Sequence, residues 1–518
     1  MRIGGGGYEM AEEGLKPPYI LGIDSGTSAC KAALFTLEGR IVAETSVDHT
    51  IHHPKPDYAE QDPAEWWNSA VKAISSLVKR SGVKPGDIVG LSVDSQREAV
   101  VFLDRGGESL ARSIIWLDRR AIPQAEAISK IIDPERILEI TGLPLDFIFS
   151  APKILWVKEN TPEIYDRTWR ILCAKDYIVY RLTGIPVTDY TMASRTMLFD
   201  IRKLRWSEEL CEALGIDPSI LPEARGSWEV AGEVTAKAAE DTGLKPGTPV
   251  ACGGGDRPCE ALGAGVVDEG MANIGTGTGS VFEIPLEEPR LDRGMRFDCC
   301  LHVAPSRWEY EGIVNATGAS LRWFRDNFCR AEAVEAEVRG LSIYHILDVE
   351  ASRVPVGCEG VYYYPHLWGA RLPKPNPRAK GVFYGILHSH GRGHFVRAIL
   401  EAAGFQYLGT LRILKELGVS IERIRMVGGE SKSRVWNRIK SDIIGLRIEI
   451  PKIRDAAALG SAILGGVAAG VYRDPRSAAL EIVEVDEVYD PDPSVHRVYA
   501  EIYEDYIRVY SRLEESFT

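Results

Sequence analysis

Apolar runs with strand-like spacing alternate with helical periodicities almost to the end of the chain, the pattern of an α/β protein. Strands are predicted at Tyr19–Ile23, Lys31–Thr36 and Ile41–Ser46. Pro63–Lys79 carries helical spacing, and strands follow at Ile88–Asp94 and Val100–Leu103. The stretch Pro123–Leu221 reads as mostly helical, with periodic segments at Lys153–Glu159 and Lys175–Leu182. Leu244–Gly247 reads as a turn before a strand at Pro249–Cys252, and residues 426–445 read as strand, double-glycine turn and helix. Ala456–Tyr472 has no charge, is rich in Gly and Ala, and is shorter than a typical membrane span, which predicts a buried helix against a close neighbour.

One pattern occurs twice. Residues 21–35, LGIDSGTSACKAALF, read as strand, Gly/Thr turn, strand, and residues 271–284, MANIGTGTGSVFEI, follow the same plan. The two turns lie about half a chain apart, as an internal duplication would place them. This predicts a loose tail over 1–18, a first domain over 19–265 and a second over 266–518.

Composition narrows the classes. With 518 residues there is length for more than one sizeable core, and 26% charged residues argue against both a disordered chain and a fibre. A net charge of -13 argues against nucleic acid as a partner, which needs a basic footprint. The N-terminal residues have no apolar signal core. Nine cysteines without a CxxC or metal spacing predict reduced thiols, hence a cytoplasmic protein with no membrane partner. Only 7 Asn and 4 Gln, beside many Glu and Arg, hint at a thermophilic source.

No Gly-Lys-Ser/Thr occurs, so a phosphate site must be built differently from a P-loop. The two Gly/Thr turns are candidates: glycines let backbone N–H groups approach phosphate oxygens, and Thr27, Ser28, Thr276 and Thr278 add hydroxyl donors. Each turn alone is equally a plain hairpin; the pair favours a clamp on one polyphosphate. Asp24 ends the first strand, where a carboxylate beside phosphates can hold Mg2+, although an Asp bonding its own turn is the commoner arrangement. Asp256 follows Gly253–Gly255 at the C-terminal end of a strand, placed to take a proton from an attacking hydroxyl; capping the helix that starts near Pro258 is the competing role. Gln96, Arg97 and Glu98 form a polar trio suited to vicinal hydroxyls, extended by Trp116, Asp118, Arg119 and Arg120; a surface charge pair is the bland reading. His388, His390 and His394 in HSHGRGH have partial metal spacing, but no carboxylate or Cys completes a ligand set, and helix-start packing is preferred.

These residues resemble the FGGY carbohydrate kinases, from about Tyr19 to about Tyr472. GVFYGILHSHGRGHFVRAILE (381–401) matches one family signature. Ser150, Lys153, Trp156, Val157, Glu159 and Asn160 match a second, from which Ile148 departs. The resemblance implies an α/β fold of the duplicated actin-like, ribonuclease-H-like ATPase type, with two domains flanking a cleft. It implies ATP and Mg2+ as cofactors, a small sugar or polyol as partner, and leaves a homodimer open. It makes HSHGRGH scaffold. Residue by residue, it implies that Asp24, Gly26, Thr27, Ser28 and Lys31 form the first phosphate motif, with Asp24 on the metal side. Gly275, Thr276 and Gly277 form the second. Gly318, Gly429 and Ser433 match nucleotide contacts, Gln96, Arg97 and Glu98 substrate ligands, and Asp256 the catalytic base. YAEQDPAEWW (58–67) and GARLP (369–373) are similar to xylulose kinases, whereas Gln96-Arg97-Glu98 is the glycerol-kinase version. Ile148 and Gly279 stand where glycerol kinases carry aromatics, which predicts a wider pocket. Arg257 replaces the usual Asn or Gln after the base, and either contacts the substrate or holds Asp256 ionised. The expected reaction is transfer of a phosphoryl group to a terminal hydroxyl of a ketose or polyol, D-xylulose first. Glycerol or a sugar acid is the alternative, and an actin-like ATPase that works through protein interactions the rival from another class.

Overall fold

The computed structural model describes residues 16–517; the expected loose tail lies, over residues 1–15, outside the described residues. The first strand–turn–strand pattern forms an antiparallel hairpin, Tyr19–Ser25 with Ala29–Thr36. The second forms another, Met271–Thr276 with Ser280–Leu286. Each hairpin lies inside its own seven-stranded sheet. In each, the leading strand also pairs in parallel with a later strand: Ile88–Ser95 in the first sheet and Arg423–Gly428 in the second. The repeat read in the sequence is therefore a repeat of sheet topology as well. It gives two α/β domains that face each other across a cavity of about 980 Å³.

Local signals set the helices. Pro63–Ser81 starts after Asp62, whose side chain accepts from the Ala64 N–H, and ends at Gly82 in the left-handed region. Its buried Trp66, Ala70, Ile74 and Leu77 recur at helical spacing and cover the strands Ala29–Thr36 and Ile41–Asp48. The middle segment is largely helical, as its periodicity predicts, and has a core of its own that includes Phe149, Ile154 and Leu214. From it, Ile148 and Arg195 reach the wall of the cavity.

The uncharged stretch forms the helix Ala456–Ala468, and no helix among the described residues is long and apolar enough to cross a membrane. It comes from the second half of the chain but packs on the first sheet, against Tyr19–Ser25 and Ile88–Ser95, and on the helix Asp256–Gly263. Small residues make this approach feasible: a side chain on Gly263 would collide with the Ala456 carbonyl, and one on Gly460 with the Cys259 carbonyl. This tight pair fixes the helix that carries Asp256 between the two sheets. All nine cysteines are free and buried.

Candidate active site

Asp256 is placed by the glycines before it. Gly253 has φ +77°, and a side chain there would strike the Val93 carbonyl; one on Gly255 would strike the Arg97 side chain. Gly255 is the N-cap of the helix Asp256–Gly263, so Asp256 is its first helical residue rather than its cap. About one third of the Asp256 side chain is exposed, at the wall of the cavity. Its Oδ1 accepts from the Arg257 backbone N–H (2.9 Å) and lies 3.2 Å from Arg97 Nε. Burial raises the carboxyl above the usual aspartate range, and Arg97 and Arg257 pull it part of the way back. A carboxylate raised in this way is a stronger base than an ordinary aspartate.

The trio Gln96, Arg97 and Glu98 is held by residues distant in sequence. Arg97 forms a bidentate pair with Glu311 of the second sheet, with both contacts at 2.7 Å. Burial alone would raise Glu311, but Arg97 and Arg195 outweigh it and hold its carboxyl at about 2. Glu98 has φ 63°, unusual for a non-glycine residue, and is tied on both sides. Arg195 Nε donates to its carboxylate (2.6 Å) and the buried Lys153 donates to its carbonyl (2.8 Å). The same Lys153 donates to the Ile148 carbonyl (2.7 Å), and burial lowers its ammonium to about 8. Arg195 continues to Asp298 (2.7 Å) on the second sheet. Gln96 donates to Gln61 (2.5 Å) and accepts from the Thr27 hydroxyl (3.1 Å), which itself accepts from Trp116 Nε1 (2.9 Å).

These contacts revise three readings. The Thr27 hydroxyl is not a free donor in the turn, since it donates to Gln96 and accepts from Trp116. Trp116 does join the cavity wall, but the Asp118 carboxylate closes on Arg120 and the Ala59 N–H in a buried structural cluster that Glu60 completes. Ile148 and Gly279 line the cavity, yet Gly279 is also required by backbone approach: its Cβ would stand 2.7 Å from the Val314 carbonyl oxygen.

At the other end of the cavity, Gly275, Thr276, Gly277, Thr278 and Gly279 of the second turn meet Gly428, Gly429 and Lys432. The Thr276 hydroxyl donates to the Val427 carbonyl (2.5 Å) and accepts from the Glu430 N–H (3.2 Å). It joins the two glycine turns and is not a free donor, which corrects the expectation of a phosphate-facing hydroxyl. Gly318 packs against the Gly277 carbonyl, and Ser433 caps the helix Arg434–Ile444 by accepting from the Trp436 N–H (3.0 Å). Beneath the turns, Lys440 pairs with Glu430 (2.5 Å), and Tyr407 donates to the same carboxylate (3.2 Å).

In the first turn Ser28 is exposed and its carbonyl accepts from the His49 N–H (2.8 Å). Lys31 pairs with Asp455 (2.5 Å), at the start of the helix Ala456–Ala468. Asp24 lies beside Asp94 across the parallel strand register. Burial, then Asp455 and Asp256, push the Asp24 carboxyl up to about 7 against the opposing pull of Lys31. Carboxylates crowded this way are relieved by a cation, so the donor set fits a divalent ion of the hard, oxygen-liganded class.

Arg257 turns away from Gln96, Arg97 and Glu98. Its Nη1 donates to Glu260 (3.1 Å), lies 4.0 Å from Glu283, and rests against Gly275 of the second turn. The histidine cluster also gains a member that sequence spacing does not reveal. Glu359 lies 3.7 Å from His390 Nε2 and 3.4 Å from His394 Nε2, so a carboxylate does stand beside the pair. Both Nδ1 atoms accept backbone N–H groups, from Leu387 and Gly391, which places the ring protons on Nε2 facing Glu359. The two Nδ1 hydrogen bonds tie the turn to the start of the helix Arg392–Glu416.

Comparison with known proteins is consistent over most of the chain. Models of the FGGY family of carbohydrate kinases match residues 19–263 with the N-terminal domain and residues 272–469 with the C-terminal domain. The chain is 31% identical over 497 residues to the xylulose kinase of Bacillus subtilis (strain 168), covering 96% of this chain and 97% of that protein. It is 30% identical over 484 residues to the glycerol kinase of Halorhodospira halophila, covering 91% and 92%. The crystal structure of xylulose kinase from Rhodospirillum rubrum superimposes with a TM-score of 0.87 at 29% identity, covering 96% of this chain and 99% of that one.

Proposed function

Because the chain belongs to the FGGY family of carbohydrate kinases and is an ATP-dependent sugar phosphotransferase of the actin-like, ribonuclease-H-like fold, we propose that its acceptor is a ketopentose, D-xylulose first, phosphorylated on a terminal hydroxyl with Asp256 as the base. Family membership removes the rival reading of an ATPase that acts only through protein interactions. The observation that carries the proposal is the position of Asp256 in one continuous cavity, between the Arg97–Glu98 pair and the second glycine turn.

In this reading Gln96, Arg97 and Glu98 hold the sugar hydroxyls. Gly275, Gly277 and Gly429 offer close backbone approach to the nucleotide phosphates, Lys31 and Ser28 add donors from the first turn, and Thr276, Gly318 and Ser433 keep these turns in place. Asp256 accepts the proton of the terminal hydroxyl. The oxygen left behind forms the bond to the γ-phosphorus as the bond from that phosphorus to the β-bridging oxygen breaks. The products are the sugar phosphate and ADP, and the proton resides on Asp256. Asp24 would hold magnesium, which offsets phosphate charge when bound. Nine buried thiols suit a reducing cytoplasm, and the chain divides near Gly265 into a sugar-bearing and a nucleotide-bearing half.

The ketopentose is favoured by size. Ile148 borders both the main cavity and an adjoining compartment of about 230 Å³ that Arg195, Asp298 and Arg371 line. A triol leaves this space unfilled, whereas a five-carbon sugar is long enough to reach into it. The Gln96-Arg97-Glu98 sequence favours glycerol instead. A coupled assay of ADP release over xylulose, ribulose, glycerol and gluconate decides: kcat/KM for xylulose is expected to exceed that for glycerol at least tenfold, about 1.4 kcal/mol. A tenfold preference for glycerol would overturn the ketopentose reading.

A further inference from the structure

We propose that Arg257 is a catalytic residue of the phosphoryl side, contacting the γ-phosphoryl group in transit rather than the sugar; this rests on the kinase reading but not on the identity of the sugar. Two arginines flank Asp256, and they face opposite ends of the cavity. Arg97 is committed to the sugar end by its bidentate pair with Glu311 and its contact with Asp256. Arg257 is committed to the nucleotide end. Its Nη1 is held by Glu260 at 3.1 Å, with Glu283 at 4.0 Å, and stands 3.0 Å from where a Cβ on Gly275 would be.

The anchoring uses one nitrogen only. Among the described residues Nε and Nη2 of Arg257 make no hydrogen bond, and about one third of the side chain is exposed to the cavity. Glu260 is in turn fixed by Asn273, whose amide donates to Glu260 (3.3 Å) and to Glu283 (2.7 Å). The result is a guanidinium held through one nitrogen, on the wall of the same cavity that Asp256 and the second glycine turn line. A transferring phosphoryl group must pass through that space, since its acceptor oxygen gives its proton to Asp256 and its leaving oxygen belongs to the nucleotide. A planar fork of donors suits the equatorial oxygens that carry charge in the transition state.

A purely structural ion pair between the helix Asp256–Gly263 and the second sheet is the competing role, and the experiment separates it. In Arg257→Gln, kcat is expected to fall about 10³-fold or more, within the range known for arginine donors in phosphoryl transfer. The factor is the same within threefold for every accepted sugar, with sugar KM unchanged. In Arg257→Ala, added guanidinium ion restores activity at least tenfold. Wild-type protein binds ADP with aluminium fluoride at least tenfold more tightly than ADP alone, and Arg257→Gln loses that gain while keeping its affinity for ADP. A loss that differs between sugars and raises sugar KM assigns Arg257 to the sugar and overturns the proposal. So does a loss that follows a lowered Tm without guanidinium rescue. If no ketose is phosphorylated, the proposed acceptor fails on its own, and the ADP–aluminium fluoride measurement still decides the role of Arg257.

Discussion

Glu311→Gln tests whether the sugar end is assembled across the two sheets. Glu311 stands 214 positions from Arg97 in sequence, on the strand Trp308–Val314, and its carboxylate takes both terminal nitrogens of the guanidinium. Its carboxyl is held at about 2 against an ordinary 4.5, with Arg97 and Arg195 outweighing burial. At about 1.4 kcal/mol per pH unit, that gap corresponds to roughly 3 kcal/mol. The value is depressed in the folded state, so the contribution is complete above 4.5 and is lost as pH falls toward 2. Gln keeps the shape but leaves two buried arginines short of an anion, and breaking a buried pair from one side costs about 3–5 kcal/mol. Urea unfolding followed by tryptophan fluorescence should show a loss of roughly 3 kcal/mol at pH 7, narrowing by roughly a quarter at pH 4. Steady-state kinetics should show sugar KM raised about tenfold or more, as expected when a buried hydrogen-bonding ligand is no longer oriented, with ATP KM within about twofold. An unchanged midpoint together with an unchanged sugar KM would refute the reasoning.

Three further outcomes follow from the same geometry. Asp256 must be ionised to act, and burial raises it, so kcat/KM should fall on the acid side above the ordinary aspartate value; Arg97→Met removes a charge that pulls it down, and pH–rate profiles should show the acid limb moving to higher pH, a stationary limb contradicting this. Thr276→Val leaves the Val427 carbonyl and Glu430 N–H unpaired, so it should cost about 1–3 kcal/mol in thermal or urea unfolding and raise ATP KM while sugar KM holds. Glu430→Ala strands Lys440, which is fully buried, and should cost about 3–5 kcal/mol, whereas Glu430→Met combined with Lys440→Met should recover most of it; equal losses in both would sink the ion-pair explanation.

Much of the fold was legible because it is written in local periodicity. The two hairpins, the helix after Asp62 and the uncharged helix at Ala456 each follow from spacing and caps within a few residues. Asp256 was legible for a similar reason, since a glycine triplet before a carboxylate marks a close backbone approach, met here at the Val93 carbonyl and the Arg97 side chain. The partners that position the site were not. Glu311, Arg195, Asp298 and Glu260 are single charges on ordinary strands and helices, and only tertiary folding brings them to Arg97, Glu98 and Arg257. One faint signal was available: Glu309 and Glu311 alternate on an otherwise apolar strand, and both prove buried. Side-chain direction escaped for a different reason. A threonine in a glycine turn can face ligand or backbone, and Thr27 and Thr276 both bond within the protein because neighbours such as Trp116 and Val427, far away in sequence, lie within reach. Glu359 reaches the histidine pair by the same kind of long-range approach, from a left-handed turn at Cys358–Glu359.

The central claim is that Asp256 takes the proton of a sugar hydroxyl during phosphoryl transfer, and Asp256→Asn tests it most directly. The substitution keeps size and leaves the helix start intact. With wild-type and variant protein compared under saturating ATP and sugar, kcat should fall about 10²–10⁴-fold, while ATP affinity measured by titration stays within about threefold, the variation expected when no nucleotide contact is removed. A variant that turns over at close to the wild-type rate would contradict the account.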